Sequence, residues 1–91
     1  MSRNKYDNAF LEEAHKRSIF HDKELNESKK CGCFHCQNIF EVNKIIDWVD
    51  EEDSRGKTAL CPFCAIDSVL SDNLPIDDTE FLKAMNKRYC T

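Results

Sequence analysis

Apolar and polar residues alternate along this chain in short segments, which predicts several short helices and strands. A first helix is expected over residues 8–18, with Asp7 as its N-cap. A helical turn is expected over residues 22–25. The clearest helical period lies further on, where apolar residues fall at positions i, i+3, i+4 and i+7 and predict an amphipathic helix. The residues expected to face inward in the two longer helices are Phe10, Leu11, Ala14, Ile19, Val42, Ile45, Ile46 and Val49.

The remaining segments complete a helix-rich pattern with short strands. Residues 38–40 and 57–60 are predicted strands, and Pro62 suits the first turn of a helix that would continue to Leu70, with Cys64 in that turn. The spacing of Asp77 and Glu80 predicts a capping box for a last helix. Its apolar stripe would be Leu82, Met85 and Tyr89. The predicted fold class is therefore α+β: a small, helix-rich domain.

Two Cys-x-x-Cys pairs separated by 24 residues are the strongest chemical signal in the chain. The pairs are Cys33/Cys36 and Cys61/Cys64. A two-residue gap lets both sulfurs of a pair face one point, so two pairs supply the four thiolates of a tetrahedral metal site. Zinc is the expected ion, and iron accepts the same four thiolates. A chain this short has a small core, so a metal site would contribute much of its stability.

Two further cysteines complicate the choice of ligands. Cys31 lies two residues before Cys33, but Cys33 with Cys36 repeats the spacing of the second pair and is the preferred ligand. Cys31 and Cys90 are then expected to be small, partly buried thiols. His35, inside the first pair, is expected to be exposed or to support the site without binding the metal.

The order of predicted elements around the cysteines resembles a zinc-ribbon or treble-clef-like metal centre over residues 31–71. Several motifs also resemble a family of small, uncharacterised bacterial cytoplasmic proteins, which implies no particular activity. These motifs are residues 31–36 (CGCFHC), 39–40 (IF), 46–48 (I-x-W) and 58–69 (TALCPFCAIDSV). Gln37 and Ala65 stand where such turns commonly have glycine. Because alanine disfavours a left-handed backbone, a helical conformation is expected at residue 65.

The 91 residues are expected to form one domain, 1–91, stapled by a metal centre at about 31–71. The N-terminal sequence lacks the apolar stretch of a secretory signal, and no segment is apolar for the length of a membrane span. A cytoplasmic location is therefore expected. The reducing cytosol favours metal-bound thiolates over disulfides.

The charge distribution points to a protein partner. Thirteen basic and 17 acidic residues give a net charge of −4, and residues 41–53 hold six acids against the single Lys44. An acidic surface with a large aromatic residue predicts a non-catalytic interaction module that binds a basic protein, as an inhibitor or immunity-like protein would. The residues expected to bind this partner are Trp48, Asp50, Glu51, Glu52 and Asp53.

A nucleic-acid-associated zinc module is a second hypothesis. It would use the basic residues Lys29, Lys30, Lys83, Lys87 and Arg88. The net negative charge opposes it, because phosphate backbones favour basic surfaces.

A thiol oxidoreductase is a third hypothesis. Cys61 would be the nucleophile at a helix N-terminus, and Cys64 the resolving thiol. Only 27 residues follow Cys64, which is too few for the rest of a thioredoxin-like sheet. The first cysteine pair would also have no role, so no enzymatic activity is expected.

Overall fold

Residues 6–90 are described by a computed structural model, and they contain three α-helices and five short strands. The expected domain 1–91 and the expected absence of a signal sequence both extend over residues 1–5, which lie outside the described part, as does residue 91. No helix within 6–90 has the length and apolar character needed to cross a membrane. The elements are α1 (Asn8–Lys16), α2 (Asp22–Asn26), β1 (Lys30–Cys33), β2 (Ile39–Glu41), β3 (Trp48–Val49), β4 (Thr58–Ala59), β5 (Val69–Ser71) and α3 (Thr79–Tyr89).

The strands form two antiparallel sheets, which gives the α+β class that the sequence predicts. The larger sheet has the order β2-β1-β5, and the smaller one pairs β3 with β4. In the larger sheet, Cys31 lies opposite Phe40 on one side and Ser71 on the other. In the smaller sheet, Trp48 pairs with Ala59. Both sheets lead directly into the cysteine pairs, since β1 ends at Cys33 and β4 is followed two residues later by Cys61.

Helices α1 and α3 form where the sequence predicts them. Phe10 and Ile19, which are expected to face inward with Leu11 and Ala14, are instead 38% and 40% exposed. The Asp7 carboxylate accepts a hydrogen bond from the Phe10 amide at 2.8 Å and caps α1 at the expected residue. The last helix is capped by Asp78, not by Asp77, because Asp78 is the residue whose carboxylate accepts the Glu80 amide at 3.0 Å. Asp77 instead forms an ion pair with Lys30 at 2.6 Å.

The predicted amphipathic helix over residues 42–49 is wrong. Only Val42–Lys44 form a 3₁₀ turn, and Ile45 leaves it with an extended backbone at φ −71° and ψ 122°. The Asp47 carbonyl then accepts the Leu60 amide at 3.0 Å, and the chain continues as β3 against β4. Pairing with the strand before Cys61 therefore overrides a helical spacing, and Ile46 is left 79% exposed.

The predicted helix after Cys61 is also wrong. Ala65 has a left-handed backbone at φ 63°, which contradicts the helical conformation expected from its alanine side chain. Residues 61–66 form a turn closed by a hydrogen bond from the Cys61 amide to the Ile66 carbonyl. The chain then enters β5, which pairs with β1 from Val69. Cys64 therefore lies in a turn and not at a helix N-terminus.

Two apolar clusters lie on opposite faces of the larger sheet, because adjacent strand residues point to opposite sides. Leu70 belongs to the helical cluster and Val69 to the cysteine cluster. Members of the helical cluster are Leu11, Ala14, Phe34, Leu70, Leu74, Ile76, Phe81, Leu82 and Met85. Members of the cysteine cluster are Leu25, Cys31, Cys33, Phe40, Ile45, Ala59, Cys61 and Val69.

The segment between α1 and α2 is tied to β4 through a buried histidine. The His21 ring accepts the Ala59 amide at Nε2 (3.0 Å), and its Nδ1 lies 2.9 Å from the Arg17 carbonyl. These two bonds require a neutral ring that donates from Nδ1. Burial lowers the pKa of His21 below its ordinary value of 6.5, although the Arg17 carbonyl and nearby carboxylates oppose this effect.

Candidate metal centre

The first cysteine pair lies on a turn closed by backbone hydrogen bonds. The Cys33 amide donates to the Asn38 carbonyl at 3.0 Å, and the Gln37 amide donates back to the Cys33 carbonyl at 2.8 Å. The Cys36 amide points at the Cys33 sulfur, 3.5 Å away. Gln37 has a left-handed backbone at φ 62°, and this reversal turns the chain back into β2. Both sulfurs of the pair are thereby held on the inner side of the turn.

The second pair repeats this geometry with different side chains. The Cys61 amide donates to the Ile66 carbonyl at 3.0 Å, and the Ala65 amide donates to the Cys61 carbonyl at 2.8 Å. The Phe63 amide lies 3.4 Å from the Cys61 sulfur. The left-handed residue, Ala65, again follows the second cysteine of the pair. We call the two turns, residues 33–38 and 61–66, the first and second knuckles.

The knuckles bring the four sulfurs that the sequence spacing predicts into one cluster. All four Sγ atoms lie within 4.8 Å of one another. The Cys33 and Cys64 sulfurs are 3.6 Å apart, and so are those of Cys36 and Cys61. A tetrahedral ion with metal–sulfur bonds of about 2.3 Å needs sulfurs about 3.8 Å apart, so these residues fit a metal ion. The distances far exceed the roughly 2.05 Å of a disulfide, so these four cysteines are not joined by disulfide bonds.

Burial and hydrogen bonding act differently on the four thiols. Burial raises the pKa of Cys33 to about 11, against hydrogen bonds that stabilise the thiolate. Burial also raises the pKa of Cys61 and of Cys64. Burial acts in the same direction on Cys36, but hydrogen bonds from the Asn38 amide and side chain outweigh it and lower that pKa. Without a cation, the buried cluster therefore favours neutral thiols, and a bound metal would supply the charge that stabilises thiolates.

Three polar side chains that sequence reasoning missed support the knuckles. The Ser68 hydroxyl lies 2.9 Å from the Cys33 sulfur, and the Asn38 side-chain amide donates to the Cys36 sulfur at 3.3 Å. Asn86 of α3 donates to the carbonyls of Phe34 and His35 at 3.0 and 2.9 Å. Asn38 is close enough in sequence to a ligand to have been considered. Asn86 gave no signal, because only the fold brings α3 to the first knuckle.

Cys31 lies near this cluster but outside it. Its side chain is fully buried, and its thiol donates to the Phe40 carbonyl at 3.6 Å. Burial, followed by the influence of Cys61, raises its pKa to about 12. Cys90 is partly buried at the end of α3, where burial raises its pKa. Both cysteines therefore have the surroundings expected of packed thiols.

The residues predicted to bind a partner lie on the hairpin β3–β4 and not on a helix. Trp48 is half-buried against the cysteine cluster, whereas Glu51 and Glu52 are exposed in the loop. The Asp50 carboxylate accepts the Thr58 hydroxyl at 2.8 Å. Asp53 accepts hydrogen bonds from the Arg55 side chain and amide, which lower its pKa to about 2. Two of the four acids therefore shape the loop, and two extend into solvent.

The basic residues of the nucleic-acid hypothesis are partly paired with carboxylates. Lys30 contacts Asp77 and Arg88 contacts Glu12, each at 2.6 Å. Lys29, which directly precedes β1, and Lys83 of α3 are exposed. Ion pairing reduces the positive field that a phosphate backbone would meet at these positions.

Comparisons with protein-family models, curated proteins and solved structures found no match to this chain.

Proposed function

We propose that this chain is a non-catalytic protein-interaction domain folded around a structural zinc ion. The observation that carries the proposal is the cluster of four sulfurs, held by two knuckles at separations that suit tetrahedral coordination. Zinc is preferred because it is the usual ion of structural Cys₄ sites. Two turn-borne cysteine pairs support a zinc-ribbon-like centre over a treble-clef-like one, in which the second pair would open a helix.

The ligand set argues against catalysis at the metal. A catalytic zinc usually keeps three protein ligands and one position for water or substrate, whereas four cysteines fill a tetrahedral shell. The oxidoreductase hypothesis loses its physical basis as well. Cys61 and Cys64 lie in a turn, where no helix dipole stabilises a thiolate, and burial raises the pKa of both.

The acidic hairpin loop is the surface we assign to a basic protein partner. The bonds from Asp50 to Thr58 and from Asp53 to Arg55 fix the loop backbone, and Glu51 and Glu52 extend from its tip. A preformed loop loses less entropy on binding than a flexible one. Its exposed carboxylates would attract a basic surface at long range and mainly raise the association rate.

Two measurements test this proposal. Native mass spectrometry of protein expressed with both zinc and iron supplied should show one zinc per chain, and iron would correct the identity of the metal. Partner capture from the native cell, followed by binding kinetics, should show an association rate that falls as salt rises.

Two double variants that change the net charge by the same amount test whether the acidic loop is the binding surface. Replacing Glu51 and Glu52 by Lys should slow association with the captured partner without loss of metal. Replacing Glu13 and Glu27 by Lys, which are exposed elsewhere, should have a much smaller effect. Equal effects of the two changes, or tight binding to DNA at physiological salt, would reject the acidic loop as the interaction surface.

A further inference from the structure

We propose that the free edge of β2 binds an extended segment of a partner protein as an added β-strand, with an apolar side chain and a neighbouring acidic side chain as its recognised features. This surface is separate from the acidic loop and extends beyond the function proposed above.

Backbone geometry at β2 is the first support. The Cys33 amide bonds to the Asn38 carbonyl, and Cys31 lies opposite Phe40 two residues further along the ladder. Because bonding direction alternates in an antiparallel pair, the groups of Phe40 face β1. The Ile39 amide and carbonyl and the Glu41 amide face away from it. No hydrogen bond joins these three groups to another part of residues 6–90, so they form an open template for a strand.

The side chains beside this edge form an exposed apolar surface. Ile39 is 42% exposed and Phe63 is 63% exposed. Phe63 extends from the second knuckle and meets the Phe40 ring edge-to-face, with centroids 5.5 Å apart. Ile39, Phe40 and Phe63 line one shallow depression together with Lys30, Glu41 and Lys44. An added strand would lie across this depression, where an apolar side chain would cover the exposed rings.

The charged residues around the depression predict the second recognised feature of the partner segment, an acidic side chain. Glu41 lies opposite Lys30 in the ladder, so its charge has a basic neighbour. Lys44 is exposed at the rim of the depression, and no carboxylate within residues 6–90 forms an ion pair with it. An acidic residue beside the apolar one would complete this arrangement.

A partner segment is favoured over a second copy of this chain. The strand has only three residues, and the chain has a net charge of −4, so two copies would repel each other while sharing a short contact. A short peptide with one acidic residue carries far less charge than a second copy, so this repulsion is weaker.

The test selects peptides from a phage-displayed library of random linear peptides on the metal-loaded protein. Selected peptides should share an apolar residue with an acidic residue one or two positions away. Amide hydrogen exchange of the complex should show protection at Ile39 and Glu41. Selection of no peptide, or protection confined to residues outside β2, would overturn the proposal.

A proline substitution isolates the backbone contribution. Glu41 has φ −73° and ψ 146° and its side chain caps nothing, so proline fits there and removes only an outward-facing amide with the carboxylate. Glu41→Pro should weaken binding of the selected peptide about tenfold or more, since a peptide carbonyl is left unpaired. Glu41→Ala keeps the amide and should bind nearly as wild type does.

Further measurements separate the alternatives. Metal content should be equal in both Glu41 variants, which shows that folding is intact. Equal peptide binding by Glu41→Pro and Glu41→Ala would overturn strand addition. Analytical ultracentrifugation completes the test: a wild-type dimer that Glu41→Pro abolishes would mean that a second copy, and not a partner, occupies the edge. The Glu51/Glu52 double variant should bind the peptide normally. If the acidic loop proves not to bind a partner, the test of strand addition at β2 is therefore unaffected.

Discussion

The helical cluster and the cysteine cluster lie on opposite faces of one sheet, yet they are specified in different ways. The helical cluster is built from apolar residues on α1, α3 and the segment before α3, and Phe81 and Met85 are fully buried there. The cysteine cluster contains fewer large side chains and places three buried cysteines among them. One cluster is therefore held by side-chain packing, and the other is built around two knuckles whose sulfurs fit a metal ion.

The largest effect is expected from a substitution that disrupts the cysteine cluster and leaves the helical cluster intact. Cys33→Ser should abolish metal retention, because structural zinc in small domains contributes roughly 10–16 kcal/mol of apparent binding free energy and needs all four ligands. Cys31→Ser is the matched control, since its thiol only donates to the Phe40 carbonyl, a bond that serine can replace. Native mass spectrometry and amide exchange would measure metal content and local order. A larger metal loss in Cys31→Ser than in Cys33→Ser would mean that Cys31 is a ligand.

The next change disrupts the helical cluster. Phe81 is fully buried and contacts the rings of Tyr6 and Phe10 edge-to-face. Phe81→Ala should lower the free energy of unfolding by about 3–5 kcal/mol through lost burial and a cavity. Denaturant titration of the metal-loaded protein would measure this loss. Metal stoichiometry should stay unchanged, and a coupled loss of metal would show that the two clusters are not specified separately.

A smaller, pH-dependent effect concerns the contact of His21 with β4. The folded-state pKa of His21 lies below 6.5, so its contribution to stability is complete above about pH 6.5 and is lost as the pH falls below that value. The reason is that protonation removes the acceptor for the Ala59 amide. Denaturant titrations across this range should show a steeper loss for wild type than for His21→Gln. The variant controls for acid release of metal, and equal pH profiles would refute the role of His21.

The smallest expected effect compares the same alanine-to-glycine substitution in the second knuckle and in α1. Ala65 adopts φ 63°, where a Cβ is unfavourable and glycine is not. Ala65→Gly should therefore stabilise the metal-loaded protein by up to about 1 kcal/mol, reduced by the greater freedom of glycine in the unfolded chain. Ala9→Gly on an exposed part of α1 should destabilise by a similar amount. Thermal denaturation of both variants would test the opposite signs.

The same contrast explains which features the sequence predicts. Helix α1 was predictable because Asp7 and the inward-facing Leu11 and Ala14 are local signals. The cysteine cluster was predictable because spacing alone brings each pair together. Residues 42–49 were not, since Val42 and Ile45 pack inward while Ile46 and Val49 are exposed, and only pairing between β3 and β4 decides this. Ser68 was not predictable either, because the fold brings it to Cys33 from 35 residues away.

The knuckles have a consequence for how this protein could diversify. Their closing hydrogen bonds join backbone to backbone or backbone to sulfur, so they depend on the cysteines and on one reversed residue in each turn. Among the intervening residues, Phe34 packs in the helical cluster, but the side chains of His35 and Phe63 are exposed and carry none of these bonds. Mutation could therefore replace them freely while the centre persists. In evolutionary terms, the knuckles conserve a spacing and leave the outward side chains open to selection for new partners.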